Sequence, residues 1–377
     1  MSSVGPAAAP PEAGAELRRL LRRVCETPAP TFEEGARARL VSDLVREAGL
    51  DVRRDAAGNV LVEPPGGRGA RVALVAHLDT VFGADVDVTV REAEDGRWSA
   101  PGIGDNAASV AVLLHLASEI ARGRLTDRPR LLLAFTVGEE GLGDLRGARR
   151  LVDDEGDTLD ALIAIDGHLG SVVDAAVGSW RVRVELRAAG GHAWGDYPSP
   201  SAVHAVGDVV HALTRIPVPE APRSSLNVGQ VQGGSAINAI AAEAWATVDV
   251  RSVDRDTLSR LAGEVEKRIR SVARRHRVEV RIEPVGERPA GRSDDGRLAR
   301  AAEAALRAHA IESRRGASST DANVAMAAGL PALCLGVYRG GSAHRLEEWL
   351  DPDSLATGAA VVRTLLAGWA DDPPTRG

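Results

Sequence analysis

The 377-residue chain has only two cysteines, Cys25 and Cys334. A pair in a chain this long makes no disulfide framework, so a reducing compartment, the cytoplasm, is expected. Lysine is scarcer still: Lys267 stands alone among 46 basic residues, the others being arginine. A Walker-type phosphate loop needs a lysine after its glycines, and none is available. Schiff-base chemistry is disfavoured as well, because Lys267 lies in "LAGEVEKRIRSVARR", whose pattern reads as a solvated amphipathic helix. Aromatics make up 3% of the chain (six Trp, three Phe, two Tyr), too few for a platform that stacks bases. The net charge of −7 argues against a polyanionic partner, so nucleic acid is excluded as the principal ligand. No apolar run approaches the ~20 residues of a membrane span. The opening "MSSVGPAAAPPEAGAELRR" lacks the basic start and apolar core of a secretory signal, so neither membrane nor export is expected.

What remains is ordinary globular material, 44% hydrophobic and 26% charged, enough for roughly two domains. Helix-period and strand-like runs alternate. "GAELRRLLRRVCE" predicts a helix, and so does "TFEEGARARLVSDLVREAGL", which opens with Thr31 and Glu34 in capping-box spacing and ends at Gly49. "RVALVAH" and "RLLLAFTV" are nearly continuous apolar runs, as central strands covered on both faces require. The pattern predicts an α/β domain with a largely parallel sheet. Residues 179–288 read differently, as strictly alternating strands with two helices between them. That segment predicts an inserted α+β, ferredoxin-like domain. The expected division is therefore 1–178 plus 289–377, with 179–288 inserted, and loose ends at the first dozen residues and at "DDPPTRG".

Ionisable residues gather where the apolar runs stop. "VALVAHLDTVFG" ends a strand with His77 and Asp79, which alternation places on one face. They read either as a metal ligand with the carboxylate that orients it, or as a polar cap where a strand leaves the core. In "APGIGDNAASVAVLL", Asp105 stands where a glycine-rich loop becomes a helix, the usual place for an N-cap. "LLLAFTVGEEGLGD" puts Glu139 and Glu140 directly after a buried strand, costly unless they are paired, coordinating or solvated. "ALIAIDGHLG" ends in Asp166, and "GGSAHRLEEWL" carries His344 in a glycine-rich loop. Open α/β sheets build their sites at the carboxyl ends of their strands. Two imidazoles and several carboxylates in that setting suit a dinuclear site better than one structural zinc, which favours cysteine.

His77-Leu78-Asp79, Gly104-Asp105-Asn106, Glu139-Glu140, Asp166 and His344, in this order, resemble metallopeptidase family twenty. These are the co-catalytic zinc exopeptidases and amidohydrolases that include aminoacylase, carboxypeptidase G, acetylornithine deacetylase and peptidase T. The resemblance implies a catalytic domain of the zinc-exopeptidase, phosphorylase/hydrolase-like fold with a lid and dimerisation domain. It implies two divalent metal ions, zinc with cobalt or manganese as alternatives. His77 and Glu140 would bind one ion, Asp166 and His344 would be split between the two, and Asp105 would bridge them. Asp79 would orient His77. Glu139 would be the general base that activates a metal-bridging hydroxide. Two ions bring +4 and three carboxylates −3, and the remaining +1 would stabilise that hydroxide.

Within residues 179–288, "AAGGHAWGDYPSPSAVHAV" resembles the lid-histidine motif, which implies that His192 reaches a substrate carbonyl oxygen, often from a partner subunit. "GGSAINAIAAEAWATVDVR" resembles the segment carrying the family's asparagine and arginine, here Asn238 and Arg251. Arg251 would grip a substrate carboxylate or, read without the family, be an exposed sheet residue. Ala193 and Trp194 depart from the glycine or proline common after the lid histidine. Asp166 in place of glutamate, and "TPAPTFEE", lean towards the peptidase T and dipeptidase side. The implied function is hydrolysis of a small peptide or an N-acyl amino acid by a homodimer. An N-acyl-amino-acid deacylase and an inactive binding protein of the same fold are the alternatives.

Overall fold

Strand Arg68–His77 shows how the pattern becomes architecture. Val72, Leu74 and Ala76 point into one buried cluster, and Ala73 and Val75 into another on the opposite face. Period-two alternation with both faces apolar forces cover on both sides. The larger cluster is closed by helices Pro11–Cys25, Gly35–Glu47, Ser109–Ala121, Arg297–Ala308 and Ser354–Asp371. The smaller is closed by Arg146–Glu155 and Ala322–Ala327. Truncating Leu74 to alanine would cost about 2–5 kcal/mol, because its side chain is wholly buried.

This computed structural model describes residues 11–293 and 296–371. The expected loose ends lie almost wholly outside them. Two compact units divide at Ala176/Val177 and at Gly291/Arg292.

The first unit holds a nine-stranded mixed sheet. At its centre run four parallel strands in the order Pro129–Thr136, Arg68–His77, Ala161–Ile165 and Ala332–Leu335. Strands Val60–Val62 and Ser171–Ala176 flank this centre and run antiparallel to it. The four central strands share a direction, so their carboxyl ends open at one edge.

The capping box expected at Thr31 and Glu34 does not form. Glu34 precedes helix Gly35–Glu47 without a side-chain cap. Its carboxylate instead takes Arg146 at 2.7 Å on each oxygen, while the Thr31 hydroxyl donates to Asp79 at 2.9 Å. Two buried carboxylates that need donors outcompete a helix end that water can satisfy.

The second unit is a four-stranded antiparallel sheet in the order Ser224–Gly233, Glu243–Ser252, Gly178–Arg187 and Glu279–Arg288. Helices Ala202–Leu213 and Arg255–His276 cover one face, where Val182, Val184, Ala246 and Val248 meet Val206, Val209, Leu261 and Ile269. Ser201 and Asp254 cap the two helices. The order is ferredoxin-like. Among the described residues no helix is long and apolar enough to cross a membrane.

Candidate metal centre

Each strand-end residue arrives at the same edge of the first unit. His77 closes its strand, Glu139 and Glu140 follow Pro129–Thr136 by a three-residue step, and Asp166 follows Ala161–Ile165 directly. Asp105 sits in the irregular turn Ile103–Ala108 that leads into helix Ser109–Ala121, with an extended backbone (φ −104°, ψ 93°); its Oδ2 lies against His344 and its Oδ1 has no hydrogen-bond partner. Its carboxylate is therefore not an N-cap. It turns to the histidines, with Oδ2 3.0 Å from His344 Nε2 and Oδ1 3.1 Å from His77 Nε2. His344 lies between the short strands Arg339–Gly341 and Trp349–Asp351.

Donor atoms of His77, Asp105 and Asp166 lie within 4.8 Å of one another, and so do those of Asp105, Glu140 and His344. The two groups share Asp105. A third group joins His77, Glu139 and Glu140. His344 Nε2 is 3.0 Å from both Asp105 Oδ2 and Glu140 Oε1. On the other side, His77 Nε2 and Asp105 Oδ1 face each other at 3.1 Å, buried and without a hydrogen-bond partner. Two orphaned lone-pair atoms aimed at one place, in an imidazole and carboxylate set, fit divalent cations.

The electrostatics have the same origin. His344 is raised to about 11 by its hydrogen bonds to Asp105 and Glu140. His77 is raised well above its ordinary value although burial opposes it, since Asp105 and Asp79 favour the charged ring. Asp166 is pushed up to about 8 by burial and then by the charge of Asp105. The pocket concentrates negative charge that protons or cations must balance.

Asp79 has contacts besides His77. The His77 Nδ1 atom lies 3.0 Å from the Asp79 backbone carbonyl and 3.6 Å from its carboxylate. The carboxylate itself accepts the backbone N–H groups of Glu139 and Glu140 and the hydroxyl of Thr31. Opposite it, buried Glu348 accepts three backbone N–H groups, from Gly102, Gly104 and Asp105, at 2.8–2.9 Å. Gly104 has no side chain for a reason: a Cβ there would stand 2.6 Å from the buried Tyr338 ring. Thr31, Glu348 and Tyr338 were not legible as site residues, although Glu348 follows His344 by four positions and is a buried acid.

His192, Asn238 and Arg251 lie in the second unit. His192 is exposed, in a short pairing with Ala239–Ile240, and the neighbouring Ala193 N–H donates to the Asn238 carbonyl. His192 Nδ1 accepts the N–H groups of Trp194 and Gly195, so a neutral ring carries its hydrogen on Nε2. Arg251 is held by Asp249 on its own strand through Nε at 3.0 Å and Nη2 at 2.9 Å.

Residues 73–368 match peptidase family M20/M25/M40. A succinyl-diaminopimelate desuccinylase from Corynebacterium glutamicum is 27% identical over 62% of this chain, a match that spans 65% of that protein. By structure, a tripeptidase from Staphylococcus aureus superposes with a TM-score of 0.82 at 21% identity, over 97% of this chain and all of that one. A dinuclear metal binding peptidase of Bacillus subtilis gives 0.71 at 16% identity, over 96% of this chain and 99% of that one. The chain belongs to peptidase family M20/M25/M40, whose chemistry is metal-dependent hydrolysis of amide and peptide bonds.

Proposed function

We propose that the protein hydrolyses the amide bond of a small peptide or N-acyl amino acid, as an exopeptidase of the peptidase T kind that holds two divalent ions, zinc by preference. The observation that carries this reading is the sharing of Asp105 between two three-residue donor groups with Glu139 alongside. We assign His77 and Asp166 to one ion and Glu140 and His344 to the other, rather than His77 with Glu140, because His344 already lies against Glu140 and Asp105. Asp105 serves both. When bound, such ions polarise a scissile carbonyl and acidify water.

The protein's own groups do the rest. Glu139, 5% exposed, takes the proton of the attacking water and returns it to the leaving amine. Asp79 fixes the backbone from which Glu139 acts. His192 offers its Nε2 hydrogen to a substrate carbonyl oxygen, and Asn238 lies in the paired loop beside it. Arg251 would have to leave Asp249 to grip a substrate carboxylate. Homodimerisation through the second unit, with His192 completing the partner's site, belongs to the same reading. Mixing inactive Glu139→Ala and His192→Ala proteins would then restore activity, to at most roughly a quarter of wild type after random subunit exchange. Both cysteines are free and buried, which suits a reducing, cytoplasmic setting.

A deacylase is the second reading, favoured by the similarity to the desuccinylase. Metal-stripped protein reloaded with Zn²⁺, Co²⁺ or Mn²⁺ should hydrolyse part of a panel of dipeptides, tripeptides and acetylated amino acids. Peptide turnover supports the exopeptidase and acyl-amino-acid turnover the deacylase. No turnover with any ion would leave an inactive binding protein.

A further inference from the structure

Phe32 is a bulky residue in a backbone conformation that glycine adopts freely and phenylalanine does not. Its φ is +77°, in the left-handed region, and the residue is 61% exposed. It belongs to none of the buried apolar clusters, so the core gains nothing from this arrangement. Strain of this kind persists only where the surroundings impose it, and it gathers at functional sites.

The surroundings here are those of the metal centre. Thr31, the preceding residue, donates to Asp79, the carboxylate that holds the Glu139 and Glu140 backbones. The Phe32 N–H donates to Glu34, and Glu34 pairs with Arg146. The Arg146 guanidinium lies over the Phe32 ring, its Cζ 5.5 Å from the ring centroid. The Arg146 stem fills the space that a side chain on Gly138, next to Glu139, would need. Two positions beyond Glu140, Leu142 is 63% exposed. The Glu139–Glu140 turn is therefore bounded by an exposed aromatic ring tied to its entry and by an exposed aliphatic side chain at its exit.

We infer that Phe32, assisted by Leu142, is a specificity-determining wall that receives an apolar side chain of the substrate beside the scissile bond. The enzyme then selects peptides or N-acyl amino acids with an apolar side chain over polar and charged ones. The inference rests on the hydrolase reading above.

The test compares wild type, Phe32→Gly and Phe32→Leu, each loaded with the same metal. The substrates are dipeptides ending in glycine and N-acyl-glycines whose acyl side is leucine-like, phenylalanine-like, serine-like or glutamate-like. Wild type prefers the apolar members. Phe32→Gly loses that preference by about tenfold or more in kcat/KM, the loss falling far more on apolar than on polar substrates. Its thermal midpoint holds or rises, because glycine takes the same φ without strain. Phe32→Leu keeps the preference.

Equal loss across all substrates with a lower midpoint overturns the inference in favour of a structural role. Unchanged selectivity with an altered molecular mass in solution overturns it in favour of contact with a second copy. A wild type that prefers polar substrates overturns it as well. A wild type that hydrolyses no member of either series overturns the hydrolase reading, and the role of Phe32 falls with it.

Discussion

Asp79 holds Glu139 by its backbone and not by its side chain: one carboxylate oxygen accepts the Glu139 N–H and the other the Glu140 N–H, each at 2.9 Å. Burial would raise this acid, but His77 and the two N–H groups keep it below its ordinary value. In Asp79→Asn the amide NH₂ must face one of those N–H groups, so one bond to a charged acceptor is lost, about 1.5–3 kcal/mol. If that loss falls on the transition state, kcat drops roughly ten- to hundredfold. Single-turnover kinetics should show the drop while elemental analysis finds the metal content unchanged.

Glu139→Gln removes the proposed base and keeps the side-chain volume. Turnover should fall by about 10²–10⁴-fold with both ions retained. A variant keeping more than about a tenth of wild-type kcat would remove Glu139 from that role.

Asp105 is common to both donor groups. Asp105→Ala should weaken binding at both positions, so that dialysed protein loses both ions where wild type holds two. Loss of a single ion in this variant would show that the carboxylate serves one position only.

A pH effect is expected far from the centre. Glu16 accepts hydrogen bonds from His115 and Ser118, and although burial works against it, its carboxyl lies below the ordinary 4.5. A depressed acid adds stability that is complete above its unfolded value and disappears as pH falls through the folded one. Urea midpoints of wild type should therefore fall on acidification below about pH 4.5, and Glu16→Gln should flatten that acid limb. Parallel curves for the two proteins would contradict the linkage.

The strand-end residues were legible because burying a charge is costly. An apolar run that stops at histidine, aspartate or paired glutamate stands out against the cost of putting it there. The two central parallel runs and the alternating strands of the inserted unit were legible for the reason that side-chain period follows secondary structure. What escaped was competition between local and distant partners. Thr31 and Glu34 have capping-box spacing, yet Asp79, 48 residues from Thr31, and Arg146, 112 residues from Glu34, take their side chains. Asp105 has the position of a cap and serves His344, 239 residues away. No local rule ranks a helix end against a buried carboxylate that the fold alone brings near.

The three N–H bonds that Glu348 accepts close a gap of 243–246 residues. Between Asp105 and its buried acceptor lie Glu139, Glu140, Asp166 and the whole second unit. On the ribosome, the Gly102–Asp105 turn waits for that acceptor, and the cluster of Asp105 and Glu140 waits for His344, until residues 344–348 have been made. A stalled or truncated product that stops before His344 contains most of the donor residues and no finished centre.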